Sequence, residues 1–289
     1  SKIYTNIGYN NTGTVALPAA ALNTSGSIYK LNGVTGAPTK FANLPQLGTG
    51  AGVGNLCYNK DHNCFYATNM HDGRIYRLNG TTGAALSTFN PSTGIVSLGG
   101  APLAGWANII APLGQRIWGI ERNKDRVYYA IWSNDYSVTT NPPATIRSVK
   151  IGPAGDFVPG TDQLELTVPV YFPTNWSHPV SDIAFSDDGK MLLAERSMLG
   201  LFNTYAHDAR VMEFEFVAGA WQLTAATTNS PNTLGVPIGD LFSKTNAAGG
   251  CDYDHRVRTP VVNDRSIWAT ADQQLFSLNV GGDGVLGVA

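Results

Sequence analysis

A twelve-residue segment occurs twice near the start of the chain, and this repeat restricts the folds that the chain can adopt. The segments 26–37 and 73–84 are identical at nine of their twelve positions, and the equivalent residues Ile28 and Ile75 lie 47 residues apart. Such a period is typical of a small supersecondary unit stacked in several copies, because one small sheet cannot bury both of its faces alone. The repeat therefore predicts similar sheets packed side by side.

Short strands separated by tight turns recur along the rest of the chain. Each twin segment ends in Asn-Gly-x-Thr-Gly, which is a turn-forming sequence between two strands. Sets of three or four apolar or aromatic runs follow at 55–89, 117–168, 181–224 and 250–278. The second strand of each set carries an alanine at one fixed place: Ala67, Ala130, Ala194 and Ala269. A small residue there suits a close approach of neighbouring sheets, and the lack of sustained helical periodicity makes the class all-β.

Radial repetition of four-stranded antiparallel sheets, the β-propeller, is the arrangement that these sets favour. We therefore predict a single β-propeller domain over residues 1–289, with five blades. Six blades are the alternative, because a degenerate blade could lie within a long connection such as 91–115. The strand-like segment 2–5 could complete either the first or the last blade. A β-sandwich is the competing all-β fold, and the four repeated meanders disfavour it.

Composition and charge narrow the classes of function. Charged residues make up 14% of the chain and the net charge is −2, whereas charged residues reach roughly 25% in typical soluble domains. No lysine and arginine cluster is present to attract nucleic acid or an anionic membrane, and no apolar run is long enough to span a bilayer. We expect an extracellular or cell-surface protein, mature after removal of a signal peptide, with no nucleic-acid partner and no membrane insertion.

The chain has three cysteines, an odd number that does not indicate a disulfide framework. Cys57 and Cys64 flank a tight turn, which is expected to place them opposite each other on a hairpin. A bridge between these two cysteines stays open at this point, and it would leave Cys251 outside the pair.

One segment resembles the blade signature of known bacterial propellers. Residues 181–193 read Ser-Asp-Ile-Ala-Phe-Ser-Asp-Asp-Gly-Lys-Met-Leu-Leu, which is similar to the signature found in NHL-repeat and SMP-30-type proteins. Together with segments 193–196, 206–211, 249–254 and 267–270, the chain resembles propeller domains of large bacterial cell-surface or secreted proteins, which are often joined to adhesin-like modules. The resemblance implies an extracellular setting, and it transfers no catalytic residue or metal ligand.

In a propeller, the loops that follow each second strand and those that enter each first strand meet on one face. Polar residues at such a concave opening are the first hypothesis for a binding site. The sequence places Asn134, His178 and Asp182 there, among others. From these loops and the long connections we predict a binding site formed by Trp106, Asp135, Trp176, Glu195, Arg196, His207 and Asp272. The competing interpretation is that Glu195 and Arg196 pair with neighbours such as Arg210 and satisfy buried groups between blades.

Four acidic residues come from different predicted blades and could ring a calcium ion, which favours several oxygen ligands. These residues are Asp72, Asp135, Glu195 and Asp272. No Asp-x-Asp-x-Asp-Gly spacing supports such a site, and 187–189 is better explained as a hairpin turn. We therefore expect no cofactor, with Ca²⁺ as the alternative.

The tryptophans divide into two groups by position. Trp106 and Trp176 lie in long connections, so they are the better candidates for an exposed surface on which carbohydrate stacks. Trp118, Trp132 and Trp268 lie in or at the ends of strands, so they are expected to pack between blades.

These observations predict a non-enzymatic propeller for binding, adhesion or assembly at a bacterial surface, with a protein, a glycan or copies of itself as partner. Two alternatives stay open: a cation-dependent hydrolase or lyase that acts on a lactone or glycan, and a glycan-binding lectin. No catalytic residue is predicted, because the sequence lacks Gly-x-Ser-x-Gly, His-Glu-x-x-His and Cys-x-x-Cys.

Overall fold

The computed structural model describes part of the chain, and every structural statement below concerns that part. The described residues are 2–6, 24–45, 52–108, 110–134, 142–170, 177–196, 198, 210–224, 249–253, 267–271 and 284–288. Within these ranges the regular secondary structure consists of β-strands. The described ranges contain no helix long and apolar enough to cross a membrane.

The strands form five sheets, and in each sheet every strand pairs with the next one along the chain. The first sheet contains β1 (Lys2–Asn6), β2 (Ser27–Asn32) and β3 (Pro38–Asn43). The second contains β4 (Val53–Asn59), β5 (Cys64–Asn69), β6 (Arg74–Asn79), β7 (Ala85–Asn90) and β8 (Ile95–Leu98). The third contains β9 (Arg116–Asn123), β10 (Arg126–Trp132), β11 (Thr145–Lys150) and β12 (Gln163–Thr167).

The last two sheets follow the same meander. The fourth contains β13 (Val180–Phe185), β14 (Met191–Glu195), β15 (Val211–Val217) and β16 (Ala220–Leu223). The fifth contains β17 (Cys251–Tyr253), β18 (Ile267–Ala271) and β19 (Gly284–Val288). Strand pairing is antiparallel in these two sheets, as it is in the first and second.

The twin segments fold alike because each contains its own turn. The side-chain oxygen of Asn32 accepts hydrogen bonds from the backbone N–H groups two and three residues later, and Asn79 does the same in the second copy. The turns then pass through Gly36 and Gly83 with φ near +70° (69° and 73°), a conformation that glycine adopts without steric cost. The repeated Asn-Gly-x-Thr-Gly sequence is therefore a repeated turn.

The chain divides into two compact units. The first comprises Ser1–Val127 and Ser148–Gln163, and the second comprises Tyr128–Arg147 and Leu164–Ala289. Within the first unit, the first and second sheets pack face to face through Ile28, Ala42, Leu44, Val53, Phe65, Ala67, Tyr76 and Leu78. The first strands of the second and third sheets, β4 and β9, lie side by side in the same unit.

Within the second unit, strands of the third sheet pack on the fourth through a cluster that includes Ala130, Ile146, Ile183 and Leu193. The fourth sheet packs on the fifth through Ala184, Leu192, Ala194, Val211, Cys251, Tyr253 and Ala269. Their first strands, β13 and β17, again lie next to each other. Consecutive meanders packed face to face in this way are blades, so the predicted all-β, β-propeller class is confirmed. The number of blades stays a prediction.

The fixed alanines lie where the sequence places them. Ala67, Ala130, Ala194 and Ala269 are all fully buried in the clusters between sheets. A larger side chain at any of these positions would push the facing sheet away, because protein interiors are close-packed.

Three strand predictions differ from the structure or are resolved by it. Strand β8 lies in a stretch predicted as a long connection, because four residues after the turn at 91–94 are too few to show a period. Strand β1 pairs with β2, so the N-terminal strand completes the first sheet. The strand predicted at 275–278 lies outside the described residues, and β19 is the strand that pairs with β18.

The cysteines form no disulfide, and the predicted hairpin register is wrong. The turn between β4 and β5 takes residues 60–63, so Asn59 faces Cys64 and Cys57 faces Tyr66. Cys57 and Cys64 are therefore diagonal neighbours on one face of the hairpin. Burial, and next to it the charge of Glu121, raises the pKa of the Cys57 thiol well above its usual value. The thiol accordingly behaves as a buried apolar group.

Candidate functional site

Three polar residues that the sequence places at the loop end of the blades line one small cavity in the second unit. Asn134 follows β10, His178 precedes β13 and Glu195 ends β14. The cavity has a volume of about 20 Å³, which is enough for one water molecule. The loops that follow the second strands β10 and β14 and the loop that precedes the first strand β13 thus meet at this cavity. Its volume is too small for a ligand with several atoms.

Hydrogen bonds from Trp132 and Ser177 fix the backbone of Asn134. The indole Nε1 of Trp132 donates to the Asn134 carbonyl oxygen (2.5 Å) and to Ser177 Oγ (2.6 Å), and Ser177 Oγ donates to the same carbonyl (2.8 Å). Trp132 is fully buried, as predicted. The side-chain Oδ1 of Asn134 is buried and accepts no hydrogen bond from the described part of the chain, so a water in the cavity would find an acceptor there.

Glu195 and Arg210 form a buried ion pair in the second unit. Arg210 Nε donates to Glu195 Oε2 (2.7 Å) and Nη2 donates to Oε1 (3.1 Å), so the guanidinium holds both carboxylate oxygens. Nη2 also donates to the carbonyl oxygen of Pro169. The expectation that Glu195 pairs with Arg210 is confirmed. The guanidinium neutralises this carboxylate, so a cation would have to compete with Arg210 for it.

A similar buried pair lies in the first unit. Asp72 follows β5 and Arg74 begins β6, and Asp72 Oδ2 accepts hydrogen bonds from Arg74 Nε (2.9 Å) and Nη2 (2.7 Å). The hydroxyl of Tyr76 donates to the same oxygen (2.6 Å), and Arg74 Nη2 also donates to the Ala101 carbonyl (2.9 Å). Burial first, and then the Asp72 charge, raises the pKa of Tyr76 well above its usual range.

The two pairs occupy matching places in their sheets. The acid lies at the end of the second strand or just after it, and the arginine lies at the start of the third strand. Each arginine also binds a backbone carbonyl of a nearby connection. Two of the four predicted calcium ligands, Asp72 and Glu195, are thus held by arginines. The sequence signal for such an ion pair is an acidic residue and an arginine on either side of the loop between the second and third strands of a sheet.

The other predicted site residues are distributed as follows. Asp135, Trp176, His207 and Asp272 lie outside the described residues. The backbone N–H of Arg196 donates to the Pro179 carbonyl (2.9 Å). Within the described ranges, no group of three or more His, Cys, Asp or Glu side chains comes together as a metal site. The calcium site stays a prediction.

Two of the tryptophans, Trp106 and Trp268, differ from the sequence-based expectation. Trp106 is half-buried, and its indole Nε1 donates to the carbonyl oxygen of His71 (3.0 Å), so it packs on the loop between β5 and β6. Trp268, which was expected to pack between blades, has 37% of its surface exposed. In the fifth sheet, Cys251 and Ala269 form the face that packs on the fourth sheet, so Trp268 lies on the opposite face together with Asp252.

A larger cavity lies beside Trp268 in the second unit, and we call it the Trp268 cavity. It has a volume of about 280 Å³ and is open on one side. Its lining residues are Asp182, Gly250, Cys251, Asp252, Trp268, Ala269 and Thr270. Asp252 and Trp268 are direct cross-strand partners of β17 and β18. An indole and a carboxylate therefore border the same space.

Backbone hydrogen bonds hold the two carboxylates of this cavity in place. A bulge at the start of β13 turns Asp182 towards β17. Its Oδ2 accepts a hydrogen bond from the backbone N–H of Cys251 (2.9 Å) and its Oδ1 accepts one from Ile183 (3.0 Å). Asp252 Oδ1 accepts one from the backbone N–H of Tyr253 (2.8 Å).

Tyr253 fixes the wall behind the cavity. Its hydroxyl donates to Glu213 Oε1 (3.0 Å) across to β15, and Glu213 also pairs with Lys190 Nζ (3.4 Å). Burial first, and then the Glu213 charge, raises the pKa of Tyr253 well above its usual range. The phenol therefore stays protonated and keeps β17 attached to the fourth sheet.

No protein-family model and no curated protein sequence matches the chain. Three solved structures resemble it in fold. A candidate 6-phosphogluconolactonase from Bacteroides fragilis is 13% identical, with a TM-score of 0.46, and the match covers 100% of this chain and 68% of that one. The β-propeller domain of Swd1 from Myceliophteria thermophila is 12% identical, with a TM-score of 0.44 and coverages of 91% and 64%.

The periplasmic gluconolactonase PpgL from Pseudomonas aeruginosa is 12% identical, with a TM-score of 0.38 and coverages of 91% and 62%. The chain thus spans roughly two thirds of the length of each of these structures. A likeness at this level concerns the fold and identifies no substrate. The predicted relationship to NHL-repeat and SMP-30-type propellers stays a resemblance of blade sequence.

Proposed function

We propose that this β-propeller binds a sugar-derived ligand, a glycan or a sugar lactone, in the Trp268 cavity. One observation carries the proposal: the half-exposed Trp268 and two aspartates with oriented carboxylates, Asp182 and Asp252, are lining residues of one open space. Sugars present apolar C–H faces beside hydroxyl groups. The negative face of an indole attracts the C–H groups, and carboxylates accept strong hydrogen bonds from hydroxyls.

The size and rigidity of the cavity support this ligand class. A volume of about 280 Å³ lies just below the roughly 300–1,000 Å³ that small-molecule sites occupy, so a small ligand of one or two sugar rings fits best. Asp182 and Asp252 are already oriented by backbone N–H groups. Binding then costs little additional ordering of the protein.

The charge of the lining residues favours a neutral ligand. Within the described part of the chain, Asp182 and Asp252 are the carboxylates of the lining, and neither lysine nor arginine contributes to it. A phosphorylated or carboxylated sugar would be repelled at close range, because like charges in a partly desolvated site raise its energy. We therefore expect neutral sugars and uncharged lactones to bind in preference to their acidic derivatives.

Isothermal titration with neutral monosaccharides, disaccharides and aldonolactones tests the proposal. We expect saturable binding that Trp268→Ala weakens at least tenfold, about 1.4 kcal/mol, and that Trp268→Phe weakens less, because an aromatic face remains. Trp106→Ala is the matched control, since Trp106 lies in the other unit and packs on a loop. Absence of binding by the unmodified protein, or equal losses for Trp268→Ala and Trp106→Ala, would contradict the proposal.

A hydrolase or lyase that acts on a lactone or glycan is the second candidate. The observation that favours it is that His178 lines the small cavity, which has room for one water molecule, because an imidazole beside a water can act as a general base near neutral pH. The same sugar panel is assayed for turnover, with a chelator or with added Ca²⁺. Turnover that His178→Ala abolishes favours the enzyme, and binding without turnover favours the lectin.

We also propose that the protein works at or outside the cell surface, in binding or adhesion. The low fraction of charged residues, 14%, supports this setting, and a neutral glycan ligand is compatible with it. Proteolysis of intact cells tests the location: a surface protein is cleaved without lysis, whereas an internal one is protected.

A further inference from the structure

Strand β8 is the outer strand of the second sheet. Among the described residues it has a strand partner, β7, on one side only. An edge strand presents backbone N–H and C=O groups that can pair with another strand. β8 is therefore a place where the sheet can be extended.

The register of the β7–β8 pair shows which groups face outwards. The N–H of Gly99 donates to the Leu86 carbonyl (2.8 Å). Ser97, two residues before Gly99, faces Thr88, which is two residues after Leu86. Hydrogen-bonded pairs alternate along an antiparallel ladder, so Ser97 and Gly99 bind towards β7. The backbone groups of the intervening residues, Val96 and Leu98, point away from the sheet.

β8 lacks the features that usually prevent edge strands from pairing. Ile95 is 59% exposed and Leu98 is 90% exposed. The 38 residues from 78 to 115 include no Asp, Glu, Lys, Arg or His. Charges and prolines on edge strands normally prevent association. The outer strand β3, by contrast, begins with proline and carries Lys40.

We infer that β8 pairs with β8 of a second copy of this chain, in antiparallel orientation about a two-fold axis through Ser97. Val96 of one copy then faces Leu98 of the other, and the outward N–H and C=O groups of these two pairs form four hydrogen bonds. The same two pairs bring apolar side chains together across the interface. The arrangement is self-complementary, as a two-fold interface requires.

A second copy is the partner that the composition of this edge favours. A neutral, apolar strand offers no charge to select an acidic or basic peptide, whereas an identical strand brings neither repulsion nor an unpaired charge. Four residues bury less than the roughly 1,200–2,000 Å² of a stable interface. The pairing is therefore weak in dilute solution and becomes populated where copies are concentrated, and it does not depend on the sugar site.

Sedimentation velocity over a range of concentrations tests the inference. The unmodified protein is expected to form dimers reversibly as its concentration rises. Ser97→Lys places two like charges opposite each other on the axis, and Ser97→Glu does the same, so each variant alone should stay monomeric. An equimolar mixture of the two variants should form dimers again, because opposite charges then meet.

Controls separate this result from a folding defect. Ser92→Lys adds the same charge to the exposed turn before β8, and this variant should associate like the unmodified protein. Thermal unfolding shows that each variant is folded. The inference is overturned if the unmodified protein stays monomeric at every concentration, if Ser97→Lys associates as before, or if the mixed variants fail to pair.

Discussion

Replacing Glu195 with glutamine removes the negative charge that neutralises a fully buried arginine. The side chains of Arg210 and Glu195 are 0% and 2% exposed, and two hydrogen bonds of 2.7 and 3.1 Å join them. Breaking a buried ion pair by removing one partner costs about 3–5 kcal/mol, because the remaining charge stays desolvated. Total stabilities are about 5–15 kcal/mol, so we expect Glu195→Gln to lose a large part of the free energy of unfolding.

A second ion pair with the same separation supplies the control. Arg122 Nη1 lies 2.7 Å from Asp61 Oδ2, but these side chains are 21% and 50% exposed. Exposed pairs contribute about 0–1 kcal/mol, since water screens the charges and the side chains lose entropy on pairing. Asp61→Asn should therefore change the unfolding free energy little. Because the two ion pairs have the same separation, the difference between the two losses of unfolding free energy measures the effect of burial.

Urea unfolding followed by tryptophan fluorescence measures both effects. The double variant Glu195→Leu with Arg210→Met removes both charges together, and it should be more stable than Glu195→Gln, because apolar replacement of a buried pair is often neutral. The explanation is refuted if Glu195→Gln and Asp61→Asn shift the midpoint equally. It is also refuted if the double variant is no more stable than Glu195→Gln.

Three further predictions concern single residues. Because burial, and after it the charge of Glu213, raises the pKa of Tyr253, the unfolded state releases the phenolic proton first. The unfolding free energy therefore falls as pH rises above about 10. Tyr253→Phe should flatten that fall, measured by urea unfolding from pH 9 to pH 11. Gly73 and Gly94 share φ near +70°, but a Cβ at Gly73 would lie 2.3 Å from a backbone oxygen, whereas a Cβ at Gly94 would meet open space. Gly73→Ala should therefore lower the melting temperature far more than Gly94→Ala. A thiol reagent should label Cys57 rapidly in urea and very slowly in the native protein, because the thiol is buried and its pKa is raised; rapid native labelling would contradict this.

Features that depend on a few adjacent residues could be predicted from the sequence. The twin turns follow from Asn32 and Asn79, whose side chains bind the backbone of their own turns. The alanine of each second strand marks a buried contact because only its size and its place in the meander matter. The fold class follows from these repeated local features.

Features that depend on distant neighbours could not be predicted. Trp268 precedes the fixed alanine of β18, and the equivalent residues of the other sheets, Tyr66, Tyr129 and Leu193, are buried. Whether this face of a sheet is covered therefore depends on the sheet's neighbours and not on its own sequence. The pairing of Cys57 depends on a turn of four residues, and a turn of a different length would have shifted the register. Asn134, His178 and Glu195 line one cavity, because the position of a residue within a meander determines the end of the blade at which it lies.

The matching acid–arginine pairs carry a consequence for how such a domain diversifies. One residue separates Asp72 from Arg74, whereas fourteen separate Glu195 from Arg210. The same kind of buried ion pair therefore joins the two ends of a one-residue loop and the two ends of a fourteen-residue loop. Lengthening a loop whose ends are joined adds little to the entropic cost of folding. We therefore expect insertions between the acid and the arginine to leave the strands of the blade unchanged. The loop between β14 and β15 is therefore expected to accept changes of length and sequence without a change in the two strands that it joins.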